Sequence, residues 1–140
     1  MAQVDFYVLS QSGEQARQLF ACKLAEKAWR LNLSVHIRTG TRAAAEALDN
    51  LLWTFRDGSF VPHFLVGAGH AEAPVAIGCS ADPIEPRDLL INLADDVPAG
   101  ARAFPRIAEL VSSDADCRQQ SRKRFAAYRD QGHELNTHKL

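Results

Sequence analysis

The stretch VDFYVLSQSGEQARQLFACKLAEKAWRLNLSVHIRTG, residues 4–40, decides the fold. Val4 to Leu9 is a short apolar, β-branched and aromatic run with polar flanks, which predicts a buried strand. Ser12 stands three residues before Gln15, the capping-box spacing in which each side chain satisfies a backbone N–H of the other residue, so a helix is expected to begin there. Ala16, Leu19, Phe20, Leu24, Ala28 and Leu31 then recur at helical spacing, with Arg17, Lys23, Glu26, Lys27 and Arg30 supplying the polar surface. Cys22, Ala25 and Trp29 make a second apolar strip, which implies cover on more than one side. After it Leu33, Val35 and Ile37 alternate with Ser34, His36 and Arg38, the period of a strand with one buried face.

Working outward, Thr39-Gly40-Thr41 reads as a turn whose hydroxyl can hold the first amides of a second helix. That helix should run to about Trp53 with Ala44, Leu48, Leu51 and Leu52 inward. Strand, helix, strand, helix is the pattern of an α/β domain with a mostly parallel central sheet, right-handed crossovers and flanking helices. SFVPHFLVG, residues 59–67, is apolar enough for a strand, but Pro62 cannot donate to a ladder and demotes it to an edge or a bent segment. Further strands are expected at Pro74 to Gly78, Asp88 to Leu93 and Arg106 to Val111, with a turn at Asp82 to Pro86. Asp114 should cap a last helix that ends near Gly132.

The chain has 140 residues, is 46% hydrophobic and 24% charged, and shows no repeat or linker, so a single domain, 1–140, is expected. No apolar run reaches the length of a membrane span and no basic run precedes the first apolar residues, which points to the cytoplasm. Cys22, Cys79 and Cys117 form neither a CxxC pair nor a disulfide framework and read as buried free thiols. A net charge of -1 argues against a protein that coats nucleic acid.

Motifs for chemistry are largely missing. There is no Gly-Lys dipeptide and hence no phosphate-binding P-loop, and Gly67 to Glu72 carries only the first two glycines of a dinucleotide fingerprint. The histidines lack metal-ligand spacing, there is no G-x-S-x-G, and Asp95-Asp96 reads as a solvated loop. No catalytic residue, cofactor or metal is expected.

Two features stand out. From Cys117 to Arg129 the last helix carries Arg118, Arg122, Lys123, Arg124 and Arg129 with no acid among them. On a helical wheel Arg118, Arg122, Phe125 and Arg129 share one stripe, while Cys117, Ser121 and Tyr128 face the core. Either this is a solvated basic face or its missing anion belongs to a partner. The second feature is the cluster Trp53, Phe55, Phe60, Val61, Pro62 and Phe64, which suits plain core or an exposed patch for a protein partner.

FYVL near the start, Trp29-Arg30, Leu52-Trp53, SFVPH at 59–63, APV-I at 73–77, RDLLINL at 87–93 and the closing R-x-x-x-Y-R-x-x-G-x-x-L-N-T-x-K resemble the chi subunit of bacterial DNA polymerase III, in order along nearly the whole chain. The resemblance implies a Rossmann-like domain without a nucleotide site. It implies an adaptor that pairs with the psi subunit of the clamp loader and holds the acidic C-terminal tail of single-stranded DNA-binding protein. Position by position it assigns the tail site to Val111, Arg118, Arg122 and Phe125, and the psi-facing surface to Trp53, Phe60, Val61 and Pro62. The sequence departs from the family pattern where Arg118 replaces a lysine, Phe125 a tyrosine and Ala126 a further lysine, so the charge and ring survive while a hydroxyl and a cation are lost. The competing readings are a small nucleotide- or phosphate-ester-processing enzyme on the same fold, and a direct but weak single-strand binder using the basic helix.

Overall fold

The computed structural model describes residues 2–67 and 73–140. Along the chain come β1 (Gln3–Val8), α1 (Glu14–Arg30), β2 (Val35–Thr39), α2 (Arg42–Thr54), β3 (His63–Leu65), β4 (Val75–Cys79), β5 (Leu89–Asn92), a 3-10 turn (Ala101–Ala103), β6 (Arg106–Val111), α3 (Ala115–Asp130) and β7 (Glu134–Lys139). The strands form one sheet in the order β3-β4-β2-β5-β6-β1-β7, and every neighbouring pair is parallel. A parallel sheet is covered on both faces, which is why β4 (VAIGC) and β5 (LLIN) are buried at every position.

α1 and α2 pack on one face, where Ala21, Cys22, Ala25, Leu48 and Leu52 meet Ile37, Ile77, Ile91 and Leu110. α3 covers the other, with Tyr128 against Val4, Phe6, Phe104, Ile107 and Val111. β1 and β6 are neighbours, yet α1, which follows β1, and α3, which follows β6, leave toward opposite faces. Their carboxyl ends therefore form the crevice where open α/β sheets of this kind place a ligand.

Several local expectations are revised. α1 begins at Glu14 after Gly13, and no side chain caps it, so Ser12 and Gln15 do not form the capping box. The Gly13 N–H instead donates to Asp114 Oδ2 at 2.7 Å from across the crevice, and φ of +92° there suits only glycine. Asp114 does sit at the N-cap of α3, but its carboxylate serves Gly13 and the Ser112 hydroxyl rather than its own helix. Thr41 behaves as expected: its hydroxyl oxygen accepts from the Ala44 N–H at 3.1 Å.

Arg17 and Glu26 are buried rather than on the polar surface of α1, each held by tertiary partners. Asp96 is exposed, yet pairs at 2.9 Å with the buried Arg38, which holds its carboxyl below the usual range. All three cysteines are free; Cys22 and Cys79 are buried and Cys117 half-buried, and burial pushes the Cys22 thiol up to about 12. Most of the Gly67 to Glu72 stretch lies outside the described residues. β7 was not expected at all. Its sequence, ELNTHK, shows no apolar alternation, because as an edge strand it buries little beyond Leu135.

Candidate functional site: a cationic cleft between α3 and β7

At the carboxyl ends of β1 and β7 the amino-terminal half of α3 overhangs a cleft of about 690 Å³. Its floor is apolar: Phe6 and Val8 from β1, Val111 from β6 and Phe125 from α3, with the Phe6 and Phe125 rings 5.3 Å apart. Arg118 and Arg122, one helical turn apart, line the α3 wall. The sheet therefore brings Val111, Arg118, Arg122 and Phe125 into one cavity although Val111 is on a strand and the rest on a helix. Among the described residues neither Arg118 nor Arg122 has an ion-pair partner. Two guanidinium groups beside an apolar floor can hold carboxylates by charge-assisted hydrogen bonds while the floor takes an apolar side chain.

The basic stripe is less uniform than the helical wheel implied. Arg129 does not line the cleft; it is exposed beside Asp130. Arg124 is not an uncompensated cation at all. It is buried, and its Nε donates to Glu109 Oε1 at 2.9 Å. Glu109, fully buried in β6, also accepts from Asn92 Nδ2 at 2.8 Å and from the Tyr128 hydroxyl at 2.6 Å. Burial raises the Glu109 carboxyl, opposed by Arg124, Asn92 and Tyr128, and burial beside Glu109 pushes the Tyr128 phenol up. This network clamps α3 to β6 and so sets which way Arg118, Arg122 and Phe125 face. The sequence signal for it was an acid on the same strand face as Ile107 and Val111.

In the ligand crevice of the fold the chain's own side chains take the backbone groups and line the opening with carboxylates. Arg17 donates to the carbonyls of Leu110 and Leu93 at 2.9 and 3.1 Å, the free ends of β6 and just past β5. Asp114 takes the Gly13 amide at the head of α1, and Glu14, Asp95 and Asp116 line the same opening. A phosphate would meet carboxylates where a nucleotide-binding crevice offers free amides. Among the described residues no cluster of His, Cys, Asp and Glu could hold a metal ion, and no helix is long and apolar enough to cross a membrane.

The aromatic cluster divides. Trp53 and Phe60 are 50% and 63% exposed with rings 5.4 Å apart, so together they make an apolar surface patch at the β3 edge. Val61 does not belong to that surface: it is 1% exposed and packs in the core, on the other side of the chain from the exposed Phe60. Pro62 is half-buried. Phe55 packs against the core, and Phe64 lies beneath the Arg87 guanidinium. His63 anchors the segment, its ring against Trp53 at 4.5 Å and bonded to the Val61 and Asp49 carbonyls.

Fold and site define a class: an all-parallel α/β domain whose ligand crevice is lined by its own carboxylates and which carries a cationic, apolar-floored cleft beside it. The family model described as DNA polymerase III chi subunit, HolC, matches residues 1–136, and the chain belongs to that family of replication subunits. It is 44% identical over 140 residues to the DNA polymerase III subunit chi of Pseudomonas aeruginosa, covering 100% of this chain and 98% of the relative. To that of Escherichia coli it is 34% identical over 143 residues, covering 98% and 97%. Among solved structures, the crystal structure of T4 UvsW superposes with a TM-score of 0.67 at 10% identity, over 99% of this chain and 41% of the other; that likeness is one of fold alone.

Proposed function

We propose that this chain is a non-catalytic adaptor of the cytoplasmic replication machinery. In this reading the α3–β7 cleft holds the acidic C-terminal tail of single-stranded DNA-binding protein, and the Trp53 and Phe60 surface docks the psi subunit and through it the clamp loader. The observation that carries it is the convergence of Val111, Arg118, Arg122 and Phe125 on one cleft whose arginines have no ion-pair partner among the described residues. The tail's carboxylates would pair with Arg118 and Arg122, and its terminal aromatic ring would rest on Val111, Val8 and Phe125. Family membership supports the setting, since relatives along the whole chain are named as subunits of DNA polymerase III.

An enzyme acting on nucleotides or phosphate esters would need the crevice between β1 and β6, where Asp114 and Arg17 already take the amide and carbonyl groups and the lining is acidic. A direct single-strand binder would need several exposed stacking rings and a cationic track, whereas of the two rings in the cleft Phe6 is buried and packs against Phe125. The adaptor reading is therefore preferred to both.

Titration calorimetry with a peptide of acidic residues ending in phenylalanine tests it. The contact is small, so micromolar affinity is expected, on the order of -8 kcal/mol. Arg122→Ala should cost about 1.5–3 kcal/mol and Arg122→Glu more. Removing only the terminal phenylalanine should abolish binding although every acid remains. Equal binding of the truncated peptide, or indifference to Arg122→Glu, would show that the cleft is not the tail site.

A further inference from the structure

The cleft has two walls, and α3 supplies only one of them. The other is β7, which runs parallel to β1 with Leu135 opposite Val4, Thr137 opposite Phe6 and Lys139 opposite Val8. Strand side chains alternate between faces, and Val4 and Phe6 face α3. Leu135, Thr137 and Lys139 therefore share the α3 face. His138 points to the opposite one, where its ring stacks on Tyr7 at 4.9 Å and its Nε2 lies 3.0 Å from Asp5 Oδ1. Thr137 and Lys139 line the cleft across from Arg122 and Phe125, and among the described residues Lys139 has no ion-pair partner.

Two amides of this rim are unavailable to an anion: those of Leu9 and Leu140 are spent on the carbonyls of Val111 and Val8, at 2.7 and 3.0 Å, and the cations of the two walls are the charged partners left for a carboxylate. The same hydrogen bond from Leu140 continues the β1–β7 ladder past Lys139 and fixes where that lysine starts. Lys139 also lies beyond residue 136, where the family match ends, so nothing in that match speaks for it.

We propose that Lys139 is a third cationic contact for the acidic peptide, so that its carboxylates are gripped between α3 and β7 rather than laid along α3 alone. The inference rests on the reading of the cleft as the tail site. It makes the cleft a two-sided clamp. A peptide whose acids reach both walls is favoured over one that presents a single charge to the helix.

The test titrates the full chain with an acidic peptide ending in phenylalanine, at low and at physiological salt, with melting temperatures to show that every variant is folded. Lys139→Glu should weaken binding about tenfold or more, Lys139→Ala about three- to fivefold, and both should flatten the salt dependence, while Lys139→Arg stays near the unaltered chain. Lys123→Glu makes the same charge change on an exposed residue of α3 that does not line the cleft, and should alter affinity by less than about twofold. If Lys139→Glu is harmless while Arg122→Glu abolishes binding, the cleft reading stands and the β7 wall is wrong. If Lys123→Glu weakens binding as much as Lys139→Glu, the effect is that of a diffuse basic field and the clamp is refuted. If Arg122→Glu is itself harmless, the tail-site reading fails and the clamp falls with it.

Discussion

Glu109 shows how one side chain can set a surface it never reaches. Its carboxylate lies fully buried between Arg124, Asn92 and Tyr128, so three donors replace the water it lost. A buried ion pair adds little relative to apolar residues of the same shape, but removing one partner leaves an uncompensated charge. Arg124→Met should therefore destabilise the protein by about 3–5 kcal/mol, while the double variant Glu109→Gln, Arg124→Met should recover a good part of that loss. Urea unfolding midpoints with an unchanged slope would check both; a double variant no better than Arg124→Met would mean that shape rather than charge holds α3 in place. His36 is the contrasting case. Burial, with Arg87 and Arg38 nearby, pushes its imidazole down to about 4, and it stays neutral in the sheet.

At the scale of elements, the segment between α2 and β3 has almost no regular structure yet a fixed position, because the buried Glu26 of α1 reaches across to it. Glu26 bonds Arg56 at 2.7 Å and also accepts from the Ser59 hydroxyl, tying down the turn that presents Phe60 beside Trp53 of α2. With the turn held from below, Phe60→Ala should leave the fold intact and weaken psi binding by about 2 kcal/mol or more, the loss of an aromatic anchor. Calorimetry and a melting curve together decide it: unfolding without a change in psi affinity per folded molecule would make Phe60 core.

These elements also show what the sequence could convey. β1, α1, β2 and α2 announce themselves in the sequence because each buries one face or both and so carries an apolar run or period of its own. β6 and α3 were legible too, and so were the residues of the cleft, through the cluster of cations on α3 and the resemblance that quoted them. β7 was not, since an edge strand with polar side chains leaves no alternation to read. The wall it provides was missed for the same reason. Arg17 and Glu26 were misread as surface because their partners, the Leu93 and Leu110 carbonyls for one and Arg56 for the other, lie 30 or more residues away, and the pairing of Arg124 on α3 with Glu109 on β6 has no local signature either. Val61 faces the core directly beside the exposed Phe60, and an apolar run without a polar alternation does not say which of the two points inward.

On the scale of the whole molecule, the two proposed surfaces lie at opposite ends of the sheet. Trp53 and Phe60 flank β3 at one edge, and the cleft lies against β7 at the other. With strands spaced by about 4.8 Å, the seven-stranded sheet sets these edges roughly 29 Å apart. Each surface uses residues of different helices, α2 for one and α3 for the other, packed on opposite faces. An adaptor needs this separation, because it must hold both partners at once without either displacing the other.

Titrating the acidic tail peptide into the chain alone and into its preformed complex with psi is the most direct measurement of that claim. Independent sites predict one peptide bound per chain with a dissociation constant that agrees within about twofold in the two titrations. Displacement of psi by the peptide, or a change in peptide affinity of about tenfold or more when psi is bound, would contradict it.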